Sequence, residues 1–193
     1  MKKKKIYVYA ISKNEEKFAK RWYESVKSAD GIYVLDTGST DNTVKILKEL
    51  GAKVTTKEIK PWRFDVARNE SLKLVPLDAD ICVCIDIDEV ISPGWREKLE
   101  EILENEKVNH VRYIYNWSHD ENKNPKVSFY YEKIHARKNF KWINPVHEVL
   151  KYTGSNEVWA TTNDIIVDHY PDSSKSRSSY LPLLELSVKE DPY

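Results

Sequence analysis

The sequence predicts an α/β protein built on an open, mostly parallel sheet with helices on both faces and a smaller antiparallel region after it. Three observations carry this. Short β-rich runs alternate with amphipathic stretches through the first half of the chain, the rhythm of βαβ units. Two of those runs, Ile32-Tyr33-Val34-Leu35 and Ile81-Cys82-Val83-Cys84-Ile85, are apolar throughout, as parallel strands covered on both faces must be. A chain of 193 residues is also long enough to bury one continuous core beneath such a sheet.

In order, a strand is expected over Ile6 to Ile11 and a helix over Glu15 to Lys27. A strand over Ile32 to Leu35 precedes a helix over Thr43 to Leu50, with Asp41-Asn42-Thr43 supplying its N-cap and Gly51 a left-handed stop. Ala52 to Thr56 and Asp65 to Val75 form the third pair. Ile81 to Ile87 and Trp95 to Leu103 form the fourth, the last helix opened by Ser92-Pro93. Beyond about residue 108 the pattern turns to aromatic strands, Val111 to Trp117, Val127 to Tyr131 and Ile165 to His169, joined by polar turns such as His119-Asp120-Glu121-Asn122. One domain over 1–172 is expected, with a first half to about 107 and a second from about 108. Residues 173–193 form a linker and a C-terminal helix over Ser176 to Val188, which could open a further extension.

Thirty-one basic and thirty-one acidic side chains cancel, so bulk nucleic-acid binding is not expected. The run Lys2 to Lys5 reads as a solvated arm, with peripheral contact to a membrane surface as the alternative. No stretch approaches the roughly 18 apolar residues of a membrane span, and no signal-peptide core follows the lysines, so a soluble cytoplasmic protein is expected. Cys82 and Cys84, two apart in one strand, are expected as buried thiols on the same face.

In open α/β sheets ligands sit beyond the carboxyl ends of the strands. Those ends carry Ser12-Lys13-Asn14-Glu15-Glu16, Asp36-Thr37-Gly38-Ser39-Thr40-Asp41 and Asp86-Ile87-Asp88-Glu89. Asp86 and Asp88 offer hard oxygen ligands for Mg²⁺ or Mn²⁺, or else cap their turn. Asp36 could accept hydrogen bonds from a nucleobase or ribose, or cap the turn through Gly38. Arg68, in the stretch Trp62 to Asn69, could pair with phosphate or form a salt bridge.

Together these segments resemble the inverting GT-A glycosyltransferases of family 2. The resemblance rests on Ile11-Ser12-Lys13-Asn14-Glu15-Glu16, on Leu35-Asp36-Thr37-Gly38-Ser39-Thr40-Asp41-Asn42-Thr43, on Phe64-Asp65-Val66-Ala67-Arg68-Asn69 and on Asp86-Ile87-Asp88-Glu89, in that order. It continues through Trp142-Ile143-Asn144-Pro145-Val146-His147-Glu148 to Asp168-His169-Tyr170. It implies a GT-A sheet, a nucleotide-sugar donor, a UDP-sugar by preference, and Mn²⁺ or Mg²⁺. Asp36 would contact the base. Ser12, Asn14, Glu16, Ser39 and Arg68 would line the nucleotide pocket. Asp88 would be the main metal ligand, Asp86 would lie near the ribose and the metal, and His169 would complete the metal shell. Glu148 would be the general base, with His147 orienting it.

In an inverting transfer one carboxylate takes the acceptor's proton while a metal stabilises the departing diphosphate. Asp120, in its polar turn, competes with Glu148 for the base, and either could be a surface carboxylate. The acceptor is expected to be a glycan, a lipid-linked saccharide or a peptide. Two other readings stand beside this one. A nucleotidyltransferase would want a glycine-rich loop at the first strand, where none of the five glycines lies. A binding module without turnover would hold sugar through Trp117, Trp142 and Trp159.

Overall fold

The computed structural model describes residues 3–172 and 180–191. Its elements are β1 (Ile6–Ser12), α1 (Glu16–Val26), β2 (Gly31–Asp36), α2 (Thr43–Leu50), β3 (Lys53–Thr56), α3 (Phe64–Leu74), β4 (Ile81–Cys84), β5 (Glu89–Ile91) and α4 (Trp95–Ile102). The second half adds β6 (His110–His119), β7 (Pro125–Ala136), β8 (Phe140–Ile143), β9 (Val149–Tyr152), β10 (Trp159–His169) and α5 (Tyr180–Glu190).

Eight strands form one sheet in the order β3-β2-β1-β4-β7-β6-β10-β5, and β8 and β9 form a separate antiparallel pair. The first four are mutually parallel, β7 runs against both β4 and β6, β10 is parallel to β6, and β5 closes the edge antiparallel to β10. Strand alternation divides the core. Ile6, Val8 and Ala10 of β1 face Ala19, Trp22 and Val26 of α1, Leu47 of α2 and Trp95 and Leu99 of α4. On the other face Tyr9, Tyr33, Cys82 and Cys84 meet Leu72 of α3 and Trp142 of β8. Both cysteines are free and buried on that face, and burial pushes each thiol up to about 12.

The parallel quartet and four helices match the sequence reading. Gly51 takes φ 109° and its N–H closes α2, where a Cβ would meet the Tyr23 hydroxyl at 2.8 Å. Several elements differ. The strand expected to Ile87 stops at Cys84, because the chain must turn there to bring Asp86 and Asp88 over the sheet end, and Glu89–Ile91 then pairs with β10. The aromatic strands β6, β7 and β10 extend the main sheet, so the antiparallel region that stands apart is β8 with β9. The expected linker at 173–176 and the start of the C-terminal helix lie outside the described residues, and α5 is described from Tyr180. Among the described residues no helix is long and apolar enough to cross a membrane.

Candidate active site

The loops after β1 and β2 are stapled to one another. Asp36 is fully buried. Its Oδ1 accepts the N–H groups of Gly38 at 3.1 Å and Ser39 at 2.9 Å, while Oδ2 accepts the hydroxyls of Ser12, at 2.9 Å, and Ser39. A carboxylate has about four lone-pair positions, and all are occupied. Asp36 therefore shapes the turn that carries Gly38 and Ser39. Asn14, at φ 55°, accepts Thr40 N–H on its Oδ1 at 2.8 Å and donates its own N–H to Ser39 Oγ at 2.8 Å. Glu16 Oε2 accepts Asn42 N–H at 2.8 Å. Ser12, Asn14, Glu16 and Ser39 are thus brought together at the carboxyl end of the sheet, with much of their bonding directed at the loops themselves.

Beneath β4 lies a buried ionic network. Arg68 of α3 forks onto Asp86, with Nη2 2.8 Å from Oδ2 and Nη1 on Oδ1, and its Nε donates to Glu148 Oε1 at 3.0 Å. Lys133 of β7, 2% exposed, donates to Asp86 Oδ2 at 3.0 Å and to both oxygens of Glu89, at 2.7 and 2.9 Å. Glu89 also accepts the Asp86 N–H at 2.7 Å and the Tyr115 hydroxyl at 2.9 Å. Burial works against the Asp86 charge, but Arg68 and Lys133 overcome it and hold the carboxyl well below its ordinary range. Burial, reinforced by the Asp86 charge, pushes Glu89 up despite Lys133. Burial alone would depress Lys133, yet Asp86 and Glu89 raise it, so it stays cationic. Both oxygens of Asp86 already face cations. Asp86 thereby anchors Arg68 and Lys133 two residues before Asp88.

Asp88, two residues on, turns the other way and meets His169. Asp88 Oδ2 lies 3.4 Å from His169 Nε2, and the Asp88 carbonyl accepts Tyr170 N–H at 2.8 Å. His169 Nδ1 donates to the Trp117 carbonyl at 3.1 Å, which turns Nε2 toward Asp88. Burial works to lower the imidazole, but Asp88 raises it above its ordinary value. Among the described residues no group of three or more His, Cys, Asp or Glu stands ready to hold a metal. One partly exposed carboxylate and one imidazole nitrogen nevertheless fit a Mn²⁺ or Mg²⁺ ion that takes its remaining ligands from phosphate and water.

Glu148 reaches this end of the sheet because α3 grips the β8–β9 region. Asn69, next to Arg68, brackets the Trp142 peptide, donating to its carbonyl at 2.8 Å and accepting its N–H at 3.0 Å. Phe64 N–H donates to the Pro145 carbonyl at 3.0 Å, and Asn144 and His147 take left-handed φ of 77° and 53° to turn the loop. Asp120 is tied to its own hairpin, its Oδ1 accepting Asn122 and Asn124 N–H at 2.9 and 2.8 Å. Of the three tryptophans considered as sugar holders, Trp142 is buried and donates to Tyr9 Oη at 2.9 Å, and Trp159 stacks on His110 at 3.7 Å. Trp117 alone of the three stays 43% exposed. Sequence reasoning missed Lys133 and Glu89 as a pair. The available signal was Lys133 alternating on one strand face with Tyr131 and His135.

A parallel sheet whose first, second and fourth strand ends gather polar loops, with an Asp-x-Asp turn facing a histidine from a late strand, defines the GT-A class. The chain belongs to glycosyl transferase family 2, whose family model matches residues 7–152. An uncharacterized glycosyltransferase of Rickettsia typhi is 38% identical over 112 residues, 58% of this chain and 36% of that protein. The glucosyl-3-phosphoglycerate synthase of Petrotoga mobilis is 40% identical over 92 residues, 45% of this chain and 28% of that one. The chain thus spans about a third of the length of the curated relatives it matches. Among solved structures, S. aureus TarS 1–349 in complex with UDP-GlcNAc superimposes over 96% of this chain and 66% of that one, with TM-score 0.63 at 14% identity, a likeness of fold. The Mycobacterium tuberculosis glucosyl-3-phosphoglycerate synthase in complex with phosphoglyceric acid gives TM-score 0.50 at 26% identity over 58% of this chain and 44% of that one.

Proposed function

We propose that this chain transfers a sugar from a nucleotide diphosphate donor, a UDP-sugar by preference, to a hydroxyl or thiol of its acceptor with inversion at the anomeric carbon. The observation that carries the reading is the Arg68 bridge. One guanidinium joins Glu148, the candidate base, to Asp86, two residues from the Asp88–His169 pair.

Asp88 and His169 would hold Mn²⁺ or Mg²⁺, which when bound offsets the charge of the departing diphosphate. Asp86 has one lone pair of Oδ1 beyond those that Arg68 and Lys133 engage, suited to a ribose hydroxyl. The loops of Ser12, Asn14, Glu16 and Ser39, fixed in shape by Asp36, form the wall of the donor pocket. Arg68 engages Oε1 of Glu148, and Oε2 takes the proton as the acceptor oxygen or sulfur attacks. The acceptor is a glycan, a lipid-linked saccharide or a peptide, met by the half beginning near residue 108.

The test is Glu148→Gln, assayed by UDP-sugar binding in the presence of Mn²⁺ and by sugar transfer. Binding within about twofold of wild type, with transfer reduced by two or more orders of magnitude, is the expected result. Transfer at wild-type rate would remove Glu148 from the base role.

A further inference from the structure

The outer end of the β6–β7 hairpin carries aromatic rings that the mechanism above does not use. Tyr115 of β6 pairs in register with Phe129 of β7, and Tyr113 with Tyr131. Tyr113 and Tyr115 are buried, but Trp117 is 43% and Phe129 42% exposed. The rings run on without a break: Phe129 lies 5.4 Å from Tyr115, Trp117 lies 6.3 Å from Tyr115, and Trp117 stacks on His169 at 4.8 Å and 28°. His169 is the residue facing Asp88. The exposed aromatic surface therefore begins one ring away from the pair that faces the donor phosphates.

We propose that Trp117 and Phe129 form a platform on which a pyranose ring of the acceptor stacks, so that the acceptor is a saccharide. This rests on the transfer reading above. A pyranose presents a face of C–H groups that suits the negative face of an aromatic ring, and an edge of hydroxyls that suits carboxylate acceptors. One such carboxylate lies beside the rings, Asp88, beyond His169. Charge favours a neutral ring over an anionic acceptor such as a phosphoglycerate. Arg68 and Lys133, the cations of the network, are both engaged by Asp86, Glu89 and Glu148. Exposed Val127 extends the apolar surface, which makes a second copy of the chain the competing occupant.

The experiment is saturation-transfer difference NMR on the full chain with Mg²⁺ and UDP, using cellobiose, chitobiose and methyl β-D-glucopyranoside as probes and D-3-phosphoglycerate as comparator. The expected result is saturation of pyranose C–H protons in at least one probe. Phe129→Ala and Trp117→Ala then weaken that probe about tenfold, and Trp117→Tyr restores most of it. The UDP protons in the same tube report the donor site. Loss of the UDP signal in wild type would sink the transfer reading itself. UDP binding without any pyranose signal, with signal from D-3-phosphoglycerate alone, or with pyranose binding unchanged in both alanine variants, overturns the platform only. A dimer that the alanine variants convert to monomer, with pyranose binding unchanged, assigns the surface to self-association.

Discussion

Arg68 Nε donates to Glu148 Oε1 at 3.0 Å across a separation of 80 residues. The same side chain is 5% exposed and forks onto Asp86, so its charge is fixed by burial geometry on two sides. Arg68→Lys retains a cation but offers a single ammonium where three directed N–H bonds are needed. The expected outcome is a folded protein with kcat lowered about 10- to 100-fold and the donor KM altered less. A wild-type kcat in steady-state transfer assays would show that the bridge does not position Glu148.

Lys133→Met leaves Glu89 buried without its cation and Asp86 with Arg68 alone. Breaking a buried pair on one side costs about 3–5 kcal/mol. Adding Glu89→Gln to Lys133→Met is expected to recover a large part of that loss, because the uncompensated charge is gone. Urea denaturation of the two single variants and the double variant gives the coupling directly, and additive losses would refute it.

Asp88→Ala removes the carboxylate facing His169 while leaving the Asp86 network intact. The expected consequence is loss of Mn²⁺-dependent thermal stabilisation by UDP, with the melting temperature of the unliganded protein nearly unchanged. Treating wild type with EDTA should have the same effect on the UDP shift. Equal stabilisation of the Asp88 variant would place the metal elsewhere.

His135 donates from Nδ1 to the Ala136 carbonyl at 2.8 Å, and its Nε2 accepts the Tyr9 hydroxyl at 2.8 Å, so the ring is held neutral. Burial lowers it to about 3. The unfolded chain takes up the proton near pH 6.5, so this group's contribution is complete above that pH and is lost as pH falls toward about 3. The loss approaches about 1.4 kcal/mol per pH unit within that window. His135→Gln keeps an acceptor for Tyr9 and should flatten stability between pH 6 and 4, as followed by urea midpoints. An unchanged acid slope would assign it to other groups.

The strands of the first half were legible because runs such as Ile32 to Leu35 are buried on both faces and leave a continuous apolar signature. Turn chemistry was equally local: Gly51 needs φ above zero, and Asp36 caps a turn two residues away. Burial of Lys133 is different in kind, since Glu89, 44 residues earlier, decides it. β8 and β9 are four residues each and alternate weakly, so pattern alone could not separate them from loop. Asp36 was legible as a turn cap, but its bond from the Ser12 hydroxyl was not, because that depends on where the β1 loop folds.

The far edge strand has an evolutionary consequence. β5 comes from the first half of the sequence but finds its partner in β10, beyond β7 and β6 in the sheet. A fragment ending near residue 107 would strand Glu89–Ile91 without a neighbour and leave Asp86 and Glu89 without Lys133. The two halves therefore cannot be exchanged between relatives as cassettes. The side chains at the hairpin end, Trp117, Val127 and Phe129, are partly exposed and stand outside that interleaved core, so they are the positions free to vary.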